Sequence, residues 1–191
     1  MARVPAAAIR WTVADVDALP YDEWNRYELI DGKLYVSGAP HWKHQATRAG
    51  VVTAIGNWEH ETHLGHVLFA PGVIFSEWDA VIPDVVWISR TRLAAIEDNA
   101  GHLQGAPELA VEVLSPGAEN TRRDREAKLK LYSSRGVQEY WIVDWRARTV
   151  AVYRRHRAQL RLVATLNPDD TLTSPLLPGF ALPVARLFAR E

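Results

Sequence analysis

The sequence has no cysteine and one methionine in 191 residues. That excludes a disulfide framework, a thiolate zinc site and a thiol nucleophile. No apolar run approaches the roughly 20 residues that a bilayer-spanning helix needs, so no membrane partner is expected. The opening stretch MARVPAAAIRWTVADVD lacks the apolar core of a secretory signal, which gives the expectation of a cytoplasmic protein. Gly-rich phosphate loops, a G-x-S-x-G elbow and zinc knuckles are also missing. His60, His63 and His66 recur every third residue, but His60-Glu61-Thr62-His63 is one residue short of the metalloprotease helix motif.

What is present reads as one globular domain over residues 1–191, with 48% hydrophobic and 24% charged residues. The net charge of −1 hides an asymmetry: residues 121–157 hold 11 Lys and Arg against 4 Asp and Glu, and the remainder is net −8. Such a block attracts an anionic partner such as nucleic acid, or is simply the solvated outer face of a helix and a hairpin. The eight tryptophans are assigned to the core or to subunit contacts.

Thr12 caps a first helix carrying Val16, Leu19 and Trp24, which Pro20 divides. RYELIDGKLYVSG alternates around Asp31-Gly32, a hairpin signal. From His44 to about Thr62, Ala46, Ala49, Val52, Ile55 and Trp58 recur at helical spacing, with Gly65 as the stop. HVLFA and GVIF are short strands around Pro71-Gly72, and IPDVVWI is a third. A short helix follows near Leu93–Glu97. PELAVEVLSP is apolar on both faces except at Glu112, as in a covered central strand. Asp124 to Arg135 is a helix with Ala127, Leu131 and Tyr132 inward. EYWIVD is a buried strand, TVAVYRR and LRLVATL form a hairpin, and the Pro- and Gly-punctuated tail wraps the core. The fold class is α/β, with a mixed β-sheet flanked by α-helices and extra hairpins.

Asp84 and Glu112 stand out because each carboxylate sits in an otherwise apolar strand, where a charge is costly unless a cation meets it. Two such carboxylates on neighbouring strands make a hard-oxygen site for Mg²⁺ or Mn²⁺; the alternative is a buried Glu paired with an Arg. Asp124, Lys128 and Tyr132 follow at intervals of four and share one helix face. Leu131 marks that face as inward, so Lys128 looks in and Lys130 looks out. An inward lysine beside a carboxylate pair can stabilise developing phosphorane charge; the alternative is a surface Asp-Lys pair. On this reading Lys128 is purely functional, and replacing it leaves stability nearly unchanged.

Taken in order, YELIDGKL, PDVVWI, ELAVEVLSP and TRRDREAKLKLYSSRGVQEYWIVD resemble the Uma-type (Uma-two, DUF820-like) restriction endonucleases, over about residues 27–188. That family belongs to the PD-(D/E)XK nuclease superfamily. The resemblance implies a restriction-endonuclease-like core and a divalent-metal phosphodiesterase site. Asp84 then takes the place of the motif's Asp, and Glu112 that of its second carboxylate. Where the superfamily has lysine two residues later stands Leu114; the resemblance moves that role to Lys128 on the next helix. Glu28 matches a further acidic position, as an accessory ligand or a hairpin surface charge. His44 matches a recurrent position, as a structural hydrogen-bonding group or a base.

The resulting expectation is a Mg²⁺- or Mn²⁺-dependent DNA endonuclease with Asp84, Glu112 and Lys128 as catalytic residues and Asp84 and Glu112 as metal ligands. Glu28, His44 and Asp124 are accessory. The alternatives are an inactive nucleic-acid- or protein-binding domain on the same fold, and a metal-dependent hydrolase of another phosphate ester. The apolar, Trp-containing C-terminal half and the resemblance together give the expectation of a homodimer.

Overall fold

The computed structural model describes residues 9–20 and 22–188; the Ala-rich opening, residues 1–8, lies outside them. The first helix, α1 (Val13–Asp17), is one turn with a reciprocal Thr12–Asp15 cap. It ends well before Trp24, which follows a turn and is exposed.

The Asp31-Gly32 hairpin forms as expected, joining β1 (Arg26–Ile30) and β2 (Lys33–Ser37), with Leu29 opposite Leu34. Both turn residues have positive φ, 52° and 71°, which Asp tolerates and Gly favours. The long helix α2 (Trp42–Thr62) presents Val51, Ile55 and Trp58 to the core. It is closed by His63 in the left-handed region rather than by Gly65.

Gly65 instead begins β3 (Gly65–Phe69), where a Cβ would overlap the Ile88 carbonyl and come 2.8 Å from the Trp87 ring. Backbone cannot retreat there as a flexible side chain could. Gly65→Ala is therefore expected to lower unfolding free energy by about 1–3 kcal/mol, as read from urea denaturation.

HVLFA and GVIF are both strands but part company. β3 joins the large sheet and β4 (Val73–Ser76) the small one. A short strand that the sequence did not signal, β5 (Asp79–Val81), links β4 to β1, giving the order β2-β1-β5-β4. Then come β6 (Val85–Ser89), α3 (Arg90–Ile96) and β7 (Leu109–Val113). A continuous helical run follows: α4 (Ala118–Arg122), a π-helical turn (Arg123–Lys128) and α5 (Leu129–Arg135). The chain finishes with β8 (Glu139–Asp144), β9 (Thr149–His156), β10 (Gln159–Leu166) and the small pair β11 (Thr171–Thr173) and β12 (Ala181–Pro183).

The large sheet has the order β10-β9-β8-β7-β6-β3. Its β7–β8 pair is parallel and its other pairs antiparallel. It is therefore mixed, and the parallel connection from β7 to β8 runs through the helical segment, as such a crossover requires. One face packs on α2 and the tail, through Val51, Ile55, Trp141, Leu177 and Phe180. The other packs on α5 and the small sheet, through Ile88, Ala110, Leu131, Tyr132 and Ile30. Every residue of β7 is buried, which is why Leu109–Val113 is apolar on both sides apart from Glu112. Trp58, Trp87 and Trp141 are core residues, whereas Trp24 and Trp42 are exposed. Among the described residues no helix is long and apolar enough to cross a membrane.

Part of the basic block is engaged internally. Arg135 pairs with Asp79 at 2.6 Å and Arg154 with Glu139 at 3.3 Å, while Arg155 donates to the Tyr132, Ser133 and Val137 carbonyls. Arg123 and Lys128 are buried. Arg122, Arg125, Lys130, Arg146 and Arg157 are exposed, so the charge asymmetry is shared between internal ion pairs and the surface.

Candidate active site

Val85 pairs with Val111 in the antiparallel β6–β7 ladder. Continuing that register sets Asp84, one residue before β6, opposite Glu112. The Val113 N–H donates to Asp84 Oδ2 at 2.9 Å, fastening the two strands where the acids stand. Both residues line a cleft of about 990 Å³, together with Arg26, His44, Arg48 and Lys128.

Around Asp84 the structure gathers two guanidinium groups and an imidazole. Arg48 Nε lies 3.1 Å and Arg26 Nη1 3.5 Å from Oδ1, and His44 Nε2 lies 3.3 Å from Oδ2. His44 and Arg48 are one turn apart on α2, so one helix face delivers both. Burial alone would raise the Asp84 pKa, but the His44 contact, Arg48 and the Val113 N–H outweigh it and hold the carboxyl at about 2. Because the folded value lies below the ordinary 3.8, the stability Asp84 contributes is complete at neutral pH and is lost as the pH falls through the folded value.

Around Glu112 the structure gathers acids. Lys128 Nζ sits 2.8 Å from Glu112 Oε1, 2.8 Å from Glu28 Oε1 and 3.9 Å from Asp124 Oδ1. The Tyr132 hydroxyl donates to the same Glu112 oxygen at 2.9 Å. Burial pushes the Glu112 pKa up to about 8, and Asp84, Asp124 and Glu28 add to the rise against the opposing pull of Lys128. Burial disfavours the Lys128 ammonium, but Glu112, Glu28 and Asp124 more than compensate and keep it charged. The crowding of negative charge thus bears on Glu112, whose carboxyl keeps its proton to higher pH than an ordinary glutamate.

Glu28 is neither a surface charge nor a peripheral group. Buried on β1, it accepts from the Ile82 N–H at 2.8 Å and meets Arg123 Nη1 at 3.6 Å. Lys128 couples it directly to Glu112. Asp124 lies on the far side, held by Arg123 Nε at 2.9 Å, while its carbonyl accepts from the Tyr140 hydroxyl.

Sequence reasoning did not find Arg26, Arg48 or Arg123. Arg123 was hidden by helix phase: five residues from Lys128, it falls on a different face of an α-helix. In the π-turn it shares Lys128's side, and both reach Glu28. Lys128 is also 1% exposed, so the expectation that its removal spares stability is corrected: it neutralises buried carboxylates as well as facing the cleft.

A fit to a divalent cation follows from the donor chemistry. Glu112 Oε2 has no hydrogen-bonding partner among the described residues, while Oε1 is taken by Lys128 and Tyr132. No group of three His, Asp or Glu side chains forms a cage among the described residues. Mg²⁺ ordinarily uses one or two carboxylates, with water and phosphate completing its shell. Asp84 and Glu112 fit that pattern; a closed structural metal site does not.

The profile of the Uma2 family, described as "Putative restriction endonuclease", matches residues 13–185. The chain belongs to the Uma2 family. No curated protein matches the sequence. Among solved structures, this Uma2 chain is similar to "a putative nuclease belonging to DUF820 from Anabaena variabilis ATCC 29413". The TM-score is 0.74 at 21% identity, covering 93% of this chain and 97% of that one. The nuclease fold expected for a Uma2 member is therefore the fold observed. The type IIG restriction endonuclease BpuSI aligns with a TM-score of 0.40 and 13% identity, over 75% of this chain and 14% of its own.

Proposed function

We propose that the protein is a divalent-metal-dependent DNA endonuclease that hydrolyses phosphodiester bonds at the Asp84–Glu112 cleft. The observation that carries this reading is the meeting of two buried carboxylates from adjacent strands with one buried ammonium, all lining the same cleft. Membership of a family described as restriction endonucleases supports it. Asp84 and Glu112 would hold Mg²⁺ or Mn²⁺, which when bound supplies Lewis acidity toward phosphate oxygens and acidity to water.

The chain's own residues do the rest. Lys128, kept cationic by its carboxylate neighbours, stabilises negative charge as the phosphodiester breaks. Tyr132 and Lys128 fix the Glu112 rotamer by occupying Oε1, leaving Oε2 toward the cleft. Arg123 and Asp124 hold Lys128 and Glu28 in register and are positioning residues.

The decisive experiment is cleavage of plasmid and linear DNA with Mn²⁺ or Mg²⁺, beside Glu112→Gln. Metal-dependent nicking that falls at least about 100-fold in the variant is expected; equal residual activity in both would count against the assignment. The Glu112 proton adds a second readout. A cation must displace it, so Mn²⁺ affinity by calorimetry is expected to rise with pH up to the Glu112 value of about 8 and then level off. Affinity that is flat with pH would mean that Glu112 is not a ligand.

A further inference from the structure

The cations beside Asp84 exceed what one carboxylate satisfies. Arg48 is 1% exposed and donates through Nη1 to Gln45 Oε1 at 3.0 Å. Its Nε touches Asp84 as a charge contact without hydrogen-bond alignment, and its buried Nη2 has no partner among the described residues. Buried His44 likewise leaves Nδ1 unpartnered. Arg26, half-buried, makes only long contacts, 3.3 Å to the Ile82 carbonyl and 3.5 Å to Asp84.

Buried guanidinium N–H groups are seldom left without an acceptor, and Arg26, Arg48 and His44 all border the cleft. One end carries Arg26, Arg48 and His44 around a single Asp84. The other shows Glu112, Lys128 and Arg123, with Glu28 and Asp124 buried behind them. At the first end two guanidinium groups share one carboxylate, and that surplus of donors suits an oxyanion.

We propose that Arg26 and Arg48 form an oxyanion subsite at the Asp84 end of the cleft, which holds a phosphate group of the nucleic-acid substrate. Two guanidinium groups meeting from β1 and α2 present planar donor forks matched to tetrahedral phosphate oxygens. The phosphate would supply the acceptor that Arg48 Nη2 lacks and draw in Arg26 from its long contacts. The subsite deepens the nuclease reading and takes the identity of its ligand from it, but anion binding needs neither metal nor turnover.

The test is calorimetry in EDTA with inorganic phosphate and, separately, with a thymidine dinucleotide carrying one internal phosphodiester. Binding of the dinucleotide identifies an internal phosphodiester as the ligand; binding of inorganic phosphate alone identifies a terminal phosphate. Arg26→Gln, at a half-exposed position, and Arg48→Lys, which keeps the charge against Asp84 but loses the fork, are each expected to weaken binding about tenfold. The double variant is expected to bind neither probe. No heat with either probe, or variants within about twofold of the native affinity, would overturn the subsite. Those results with metal-dependent cleavage intact would leave the nuclease reading standing. Anion binding by a chain that never cleaves DNA would remove the nuclease reading and leave the subsite.

Discussion

Lys128→Met is expected to abolish metal-dependent cleavage and to lower the unfolding free energy by about 3–5 kcal/mol, the usual cost of removing one partner from a buried charge cluster. The ammonium faces Glu28, Glu112 and Asp124 at 2.8, 2.8 and 3.9 Å. A methionine of similar length fills the space but leaves three carboxyl groups with Arg123 as their nearest remaining cation. The charge origin of the loss has a pH signature. Without Lys128 the carboxyls are tolerated mainly as neutral acids, so the deficit should shrink on acidification from about pH 8 to about pH 5. Urea denaturation of both proteins at the two values checks this. A deficit independent of pH would make the loss one of packing. Lys130→Met, outside the cluster, serves as the comparison that keeps both stability and cleavage.

Asp84→Ala is the mirror case. It should abolish cleavage and cost a similar about 3–5 kcal/mol, because Arg48 and Arg26 lose their shared counter-charge. Arg48 already stacks on the Phe69 ring, its guanidinium 4.0 Å from the centroid, so an apolar side chain is accommodated there. Adding Arg48→Met to Asp84→Ala is expected to recover part of the loss, giving a coupling energy of about 0.5–3 kcal/mol in the double-mutant cycle. Strict additivity of the two single effects would mean that Asp84 and Arg48 do not stabilise one another.

What could be read from the sequence was what is local or periodic. The Asp31-Gly32 turn, the α2 apolar stripe and the two-sided apolar character of β7 each reflect a spacing that backbone geometry dictates. Asp84 and Glu112 were visible because a carboxylate in an apolar strand is costly and therefore conspicuous. Lys128 was reached through its four-residue spacing to Asp124 and Tyr132, aided by the family resemblance. Arg26 and Arg48 were not visible, because arginines at positions 26 and 48 are unremarkable until folding brings them to Asp84 from 58 and 36 residues away in the chain. Strand β5 is three residues long, too short to show a period. The burial of Glu28 was hidden by its place in an alternating hairpin, where the side that faces the small sheet's partner is set only by tertiary packing.

The π-turn at Arg123–Lys128 ties the grip on Glu28 to the length of this stretch as well as to its residues. A π-turn is an α-helix holding one residue too many, and the surplus widens the coil instead of being expelled. Here the widened coil lets two cations five positions apart grip one carboxylate. Wound as a regular α-helix with the same number of residues, the stretch would set Arg123 and Lys128 about 140° apart and turn the guanidinium away from Glu28, whereas a relative one residue shorter between them would regain the four-residue spacing that keeps both on one side. The clamp is therefore set by residue count and coil together: five positions need the widened turn, four need a regular helix, and either keeps both jaws on Glu28.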